Sequence, residues 1–78
     1  MSYPDYPYEI HLHDKNGFVN FIESFENQHE ARNAVPAMLA DCRAAGDEYA
    51  GQHLLIVRHE VVGYTDWHEP IEKFEIFS

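Results

Sequence analysis

The chain has 78 residues, with 14 acidic against 5 basic side chains and a formal charge of −9. That balance excludes function classes that draw their affinity from lysine and arginine, namely direct binding to nucleic-acid phosphates and attraction to anionic lipid. The length allows one domain, residues 1–78, and the 45% hydrophobic content is enough for a core rather than for a disordered acidic tail.

Residues 1–7 hold Pro4 and Pro7 among Tyr3 and Tyr6. Proline favours extended backbone in itself and in the residue before it. The stretch reads as a stiff leader laid over the flank of the core, with a tyrosine-rich contact arm as the alternative. It lacks the basic and apolar regions of a secretory signal. No apolar run approaches the roughly 20 residues that span a bilayer. The expectation is a cytoplasmic protein without membrane contact. Cys42 is alone, so no internal disulfide forms.

Residues 8–25 read as a β-hairpin around Asn16-Gly17, a pair suited to a type I′ turn. A two-residue loop sets His13 opposite Asn20, Leu12 opposite Phe21 and Ile10 opposite Glu23. One face then carries Tyr8, Ile10, Leu12, Val19, Phe21 and Phe25. The other carries Glu9, His11, His13, Asn20 and Ser24, with Phe18 and Ile22 as apolar intruders. A loop of three residues would flip one strand and mix the faces, so the pattern predicts an even loop. Glu23 on the inner face predicts an edge strand, where its carboxylate reaches water.

Residues 27–45 read as a helix. Asn27 is suited to cap it, and Glu30 lies three residues on in a capping-box arrangement. Ala31, Ala34, Val35, Met38, Leu39, Cys42 and Ala45 form an apolar stripe at helical spacing, and Gly46 marks the stop. Pro36 removes one backbone donor and crowds the preceding turn. It falls on the solvent side, so the expectation is one helix bent toward the core, with a shorter helix from Pro36 as the alternative.

"HLLIVRHEVV", residues 53–62, reads as a central strand rich in branched side chains. "PIEKFEIF", residues 70–77, alternates as a fourth strand, and residues 63–69 between them read as a loop or wide hairpin end. The order is ββαββ, an α+β fold: a four-stranded, mostly antiparallel sheet with the helix packed on one face. The third strand is placed beside the first, because the helix can carry the chain across the sheet.

His11 and His13 share one face of their strand and point away from the helix. A zinc site there would need further ligands. With Asn20 and Ile22 opposite, those would come from His59, Glu60 or His68. No recognised spacing supports this, so the expectation is a polar strand face, with no metal and no cofactor. His68-Glu69 lacks the second histidine of a zincin motif. There is no phosphate loop, no catalytic triad spacing and no CxxC, so no catalytic residue is expected. Cys42 sits on the apolar stripe and reads as structural rather than nucleophilic. Trp67 and Tyr64 belong to types enriched at binding hot spots. With Asp66 and His68 they make residues 63–69 a recognition segment, and Glu69, Glu72 and Glu75 extend it with negative charge. The alternative is that Trp67 folds back over the core rim.

The passage "ESFENQHEARNAV" and the strand "HLLIVRHEVV", in a short acidic ββαββ chain, resemble the small anti-defence proteins encoded by phages, the anti-CRISPR type. The resemblance is to a class and carries no site motif. It implies a non-enzymatic inhibitor that binds a CRISPR surveillance complex in the host bacterial cytoplasm and blocks target DNA. The charge itself predicts a basic protein or ribonucleoprotein complex as partner, met through acids that imitate phosphates as a DNA mimic does. The partner-binding residues expected are Tyr64, Asp66, Trp67, His68, Glu69, Glu72 and Glu75. The alternatives are a homodimer or larger assembly formed through an edge strand or the uncovered sheet face, and a histidine-rich metal-binding domain.

Overall fold

A computed structural model describes residues 6–77, and most of the leader, with Tyr3 and Pro4, lies outside the described residues. The strands are β1 (Tyr8–His13), β2 (Val19–Phe25), β3 (His53–Val62) and β4 (Thr65–Glu75), and the helix is α1 (Gln28–Ala44). They form one sheet in the order β2-β1-β3-β4, antiparallel at every pairing. The fold is α+β in ββαββ order, and α1 carries the chain from the β2 edge across β1 to β3.

The helix is a single piece through Pro36. Asn27 Oδ1 accepts from the Glu30 amide at 2.9 Å, which satisfies one of the donors left over in the first turn. Ala31 and Val35 are buried against Ile10, Leu54 and Ile56, with Tyr8, Leu12, Phe25, Met38, Leu39 and Phe74 packed around them. Pro36 is exposed, as its place off the stripe predicts. The Arg32 Nε–Glu72 Oε1 pair, at 3.1 Å, ties the first half of α1 to β4. Arg43 Nε donates to the Ile76 carbonyl at 2.6 Å, holding the last turn beside the end of that strand. Gly46 follows the helix with a φ of 74° and opens a 3-10 turn, Gly46–Tyr49.

Two expectations need correction. The first hairpin closes with three loop residues, Lys15, Asn16 and Gly17. The Asp14 amide donates to the Phe18 carbonyl at 2.8 Å, and the Gly17 amide donates to the Asp14 carbonyl at 3.0 Å. Asp14 Oδ1 also accepts from the Asn16 amide at 2.6 Å. Gly17 takes a φ of 93°, whereas Asn16 stays out of the left-handed region that a type I′ turn demands of both central residues. The aspartate side chain therefore selects the longer loop. The odd count flips the near half of β2, so Val19 pairs with His13 and Phe21 with His11. Ile22 is then the extra residue of a β-bulge, and beyond it Glu23 returns to Ile10 and Phe25 to Tyr8. Val19 and Phe21 consequently lie on the histidine face, 50% and 58% exposed, rather than in the core.

The second correction concerns residues 63–69. These form a tight turn, Gly63-Tyr64, followed by the first half of β4, with Val62 opposite Thr65 and Glu60 opposite Trp67. Gly63 has a φ of 63° while Tyr64 does not adopt a positive φ, as expected of a type II′ hairpin turn with glycine first. Ile71 is a second bulge, since Val57 pairs with Pro70 and Ile56 with Glu72.

Candidate functional site

The sheet has one face under α1 and one face without a covering layer among the described residues. The pairing registers bring five of the six histidines to the second face. His13 lies opposite His53 across β1 and β3, and His59 lies opposite His68 across β3 and β4. His11, between them on β1, has Phe21 and Leu55 as its neighbours. His29 is on α1, apart from this group.

The rings are in contact along the face. His59 and His68 stack with centroids 4.3 Å apart and planes 13° from parallel. His13 and His53 stack at 4.9 Å. His11 meets Phe21 edge to face at 6.0 Å. His11, His13 and His68 border a shallow groove of about 430 Å³, with Val19, Leu55, Val57 and Pro70 forming its apolar floor and wall.

Glu9 is the anion of the cluster and is almost buried, at 9% exposure. Its Oε1 lies 2.8 Å from His11 Nε2, and its Oε2 lies 3.2 Å from His59 Nδ1. His68 Nε2 is 3.9 Å from Glu9 Oε1. The other nitrogen of His59 faces Asp66 Oδ1 at 3.4 Å. Burial of a carboxylate is costly unless donors surround it, and the two imidazoles supply them. The His13 pKa is pushed down, first by burial and then by the neighbouring His53 and His11. Among the described residues its Nε2 is buried without a hydrogen-bond partner, which favours the neutral ring.

Among the described residues, β3 and β4 continue beyond Arg58 as a two-stranded arm. The ladder of β1 to β3 ends at the Tyr8–Arg58 pair, with one further bond from the His59 amide to the Pro7 carbonyl. At about 3.4 Å per residue, the Glu60–Val62 segment and its partner reach roughly 10 Å past that support. The arm exposes Val61, Val62, Tyr64 and Trp67, with Tyr64 fully in solvent at its tip.

The seven residues expected to bind a partner are divided by the alternation of β4. Asp66 and His68 lie on the histidine face, and so does Glu75, which pairs with Lys73 at 3.0 Å. Trp67, Glu69 and Glu72 lie on the side of α1. Glu69 holds Arg58 at 2.9 Å, and that contact raises the guanidinium pKa further above its already high ordinary value. Tyr64 sits at the turn between the faces. His11 and His13 point together, away from the helix, as their spacing predicts, and His59 and His68 do reach the same face. Glu9 is the functional candidate that the histidine spacing alone does not reveal. Its parity with His11 and His13 puts it on their face, but its closeness to His59 depends on the pairing of β1 with β3.

Cys42 is half-buried, and its thiol pKa is raised by burial and then by Asp41 and Glu48. That suits a structural cysteine and opposes thiolate chemistry. No helix among the described residues is long and apolar enough to cross a membrane. No protein-family model, no curated protein and no solved structure matches this chain.

Proposed function

We propose that this chain is a small non-enzymatic binding protein that presents its β3–β4 arm and surrounding acids to a basic surface of a partner protein or ribonucleoprotein. The observation that carries the reading is the arm itself. Val61, Val62, Tyr64 and Trp67 stand 44%, 54%, 108% and 59% exposed on an element that projects from the domain. Val62 and Trp67 share the α1 side of the arm and Val61 faces the other way, and apolar groups exposed with a polar rim are characteristic of interaction sites. Here the rim is Glu60, Asp66 and Glu69.

The charge supports the same reading. Arg32, Arg58 and Lys73 already face carboxylates, and Arg43 is held by backbone carbonyls. Four of the domain's five bases are therefore engaged, and a net charge of −9 remains for a partner to feel. The Arg58 and Lys73 pairs are exposed, so they add little stability. An incoming arginine displaces them with small loss. Attraction of this kind raises the encounter rate and weakens as salt screens it. A nucleic-acid-binding groove is the natural basic surface for such a domain. The resemblance to anti-CRISPR proteins suggests a CRISPR surveillance complex as the partner to try first.

The test is capture from bacterial lysates with and without CRISPR components, read by mass spectrometry, followed by titration of the purified partner. Binding should fall with added salt, and it should be lost in Trp67→Ala and in Glu69→Lys. A purified partner that binds both variants as well as the parent, at any ionic strength, would refute the proposal.

The β2 edge favours a second reading, self-association. Phe18, Val19, Phe21 and Ile22 are 69%, 50%, 58% and 40% exposed along it, and an open apolar edge is a template for another strand. Light scattering over a concentration series tests this, and a monomer at the highest concentration would rule it out.

A further inference from the structure

We propose that Glu9, His59 and His68 form a binding site for a divalent first-row transition ion, with zinc as the best-suited occupant. The inference needs no macromolecular partner, although His59, His68 and Asp66 stand at the base of the hairpin arm. One ligand atom from each residue can be chosen so that all lie within 4.8 Å of one another. Glu9 Oε2 and His59 Nδ1 are 3.2 Å apart, and Glu9 Oε1 and His68 Nε2 are 3.9 Å apart. Bond lengths of about 2.1 Å in a tetrahedral shell set ligand atoms roughly 3.4 Å from each other. The side chains thus need small movements only.

Three adjacent strands supply the ligands, so the hydrogen-bonded ladder fixes their backbones. His59 sits directly opposite His68, and Glu9 lies opposite Val57, two residues before His59 on the same face. Two imidazoles and one carboxylate suit zinc, copper or nickel better than magnesium or calcium, which prefer an all-oxygen shell. Asp66 adds a feature that a mere polar network does not require. With Nδ1 of His59 turned to the ion, its Nε2–H faces Asp66 Oδ1 at 3.4 Å. A carboxylate behind a metal-binding imidazole fixes the ring and raises its basicity. On the other side of Glu9, His11 Nε2 at 2.8 Å holds the carboxylate in place.

Two changes are required: the His59 proton that serves Glu9 from Nδ1 moves to Nε2, beside Asp66, and the ring stack opens. An imidazole binds metal in its own ring plane, so two rings stacked 13° from parallel cannot share an ion. The His59 side chain is 7% exposed and held, whereas that of His68 is 45% exposed and has room to turn. Binding should therefore break the stack by moving His68. Three protein ligands leave a tetrahedral ion one further position, which a water fills.

The experiment is calorimetric titration of the full chain, prepared without a histidine tag, with Zn²⁺ near neutral pH. Co²⁺ is added in parallel as a spectroscopic probe. The expected result is a single ion per chain and visible cobalt absorption of tetrahedral type. His68→Ala and Glu9→Gln should each weaken binding by about tenfold or more. His29→Ala and His53→Ala should leave it unchanged. His68→Ala keeps the test valid if Glu9→Gln misfolds, because His68 is exposed. Imidazole NMR signals of His59 and His68 should shift on zinc addition while that of His29 stays still. No heat and no cobalt spectrum would overturn the proposal. So would ion binding that survives His68→Ala, or that is lost in His53→Ala instead.

Discussion

Ile56 and Leu55 are neighbours on β3 that point to opposite faces, and replacing each in turn by alanine measures how one-sided the core is. Ile56 is 0% exposed beneath α1, among Ile10, Ala31, Val35 and Leu54. Alanine removes three buried carbons at about 0.8 kcal/mol each, roughly 2.4 kcal/mol of transfer free energy. The cavity left behind adds to this, so the loss falls at about 3–4 kcal/mol. Leu55 loses the same three carbons, but it is half-buried at the groove of the histidine face. Its loss should be about 1 kcal/mol, since part of its surface is already in water. A domain of this length has roughly 4–12 kcal/mol in total. With a slope of about 1 kcal/mol per molar urea, Ile56→Ala should lower the unfolding midpoint by roughly 3 M and Leu55→Ala by about 1 M. Circular dichroism during urea titration reads both. If Ile56→Ala is too unstable for a folded baseline, Ile56→Val at about 1 kcal/mol replaces it and is compared with Leu55→Val. Equal losses on the two faces would refute the one-sided core and require a second layer over the histidines.

Lowering the pH should destabilise the fold through His13. Its pKa is lowered in the folded state by burial, His53 and His11, so the unfolded chain takes up the proton first and stability falls as pH drops below about 6.5. The fall ends once the folded ring is also protonated, and urea midpoints at pH 7.5 and 5 for the parent and His13→Asn should show the variant losing less. Gly17→Ala should cost about 1 kcal/mol in the same assay. Its added Cβ meets nothing within 4 Å, so the loss isolates the φ of 93°; an unchanged midpoint would contradict the three-residue loop. Asn27→Ala should cost about 1 kcal/mol by removing the cap on Glu30, and Asn27→Asp should restore most of it.

The residues that carry a strong local signal were legible from sequence. Apolar spacing from Ala31 to Leu39 marks the buried stripe of α1, and Asn27 marks its start. Alternation in β1 separates Ile10 and Leu12 from His11 and His13. The placement of β3 beside β1 follows from the length of the helical connection. Residues whose position depends on counting were not legible. The Asn16-Gly17 pair suggests an even loop, but the Asp14 side chain competes by holding the Asn16 amide. The loop gains a residue, and the bulge at Ile22 cancels the shift. Both changes are local backbone choices of small energy, and neither is visible in the hydrophobic pattern. The same limit applies to β4. Its polar run Thr65–Glu69 resembles a loop because the arm has no core face to impose alternation of apolar and polar groups.

The candidate metal cluster lies between these cases. Face parity alone sets Glu9 with His11 and His13, and it sets His59 apart from Arg58 and Glu60. What joins the two sets is the register of β1 on β3, in which Glu9 meets Val57 and the next residue on that face is His59. The β1–β2 hairpin takes no part in this register, so its three-residue loop leaves the cluster intact. A slip of β3 by one residue would turn His59 toward α1 and drive Ile56 and Leu54 out of the core. Burying those two side chains therefore also fixes where the histidines stand. The chemistry of the open face is in this sense held in place by the hydrophobic effect on the other. A destabilising change such as Ile56→Ala should loosen the metal site as well, even though Ile56 never touches it.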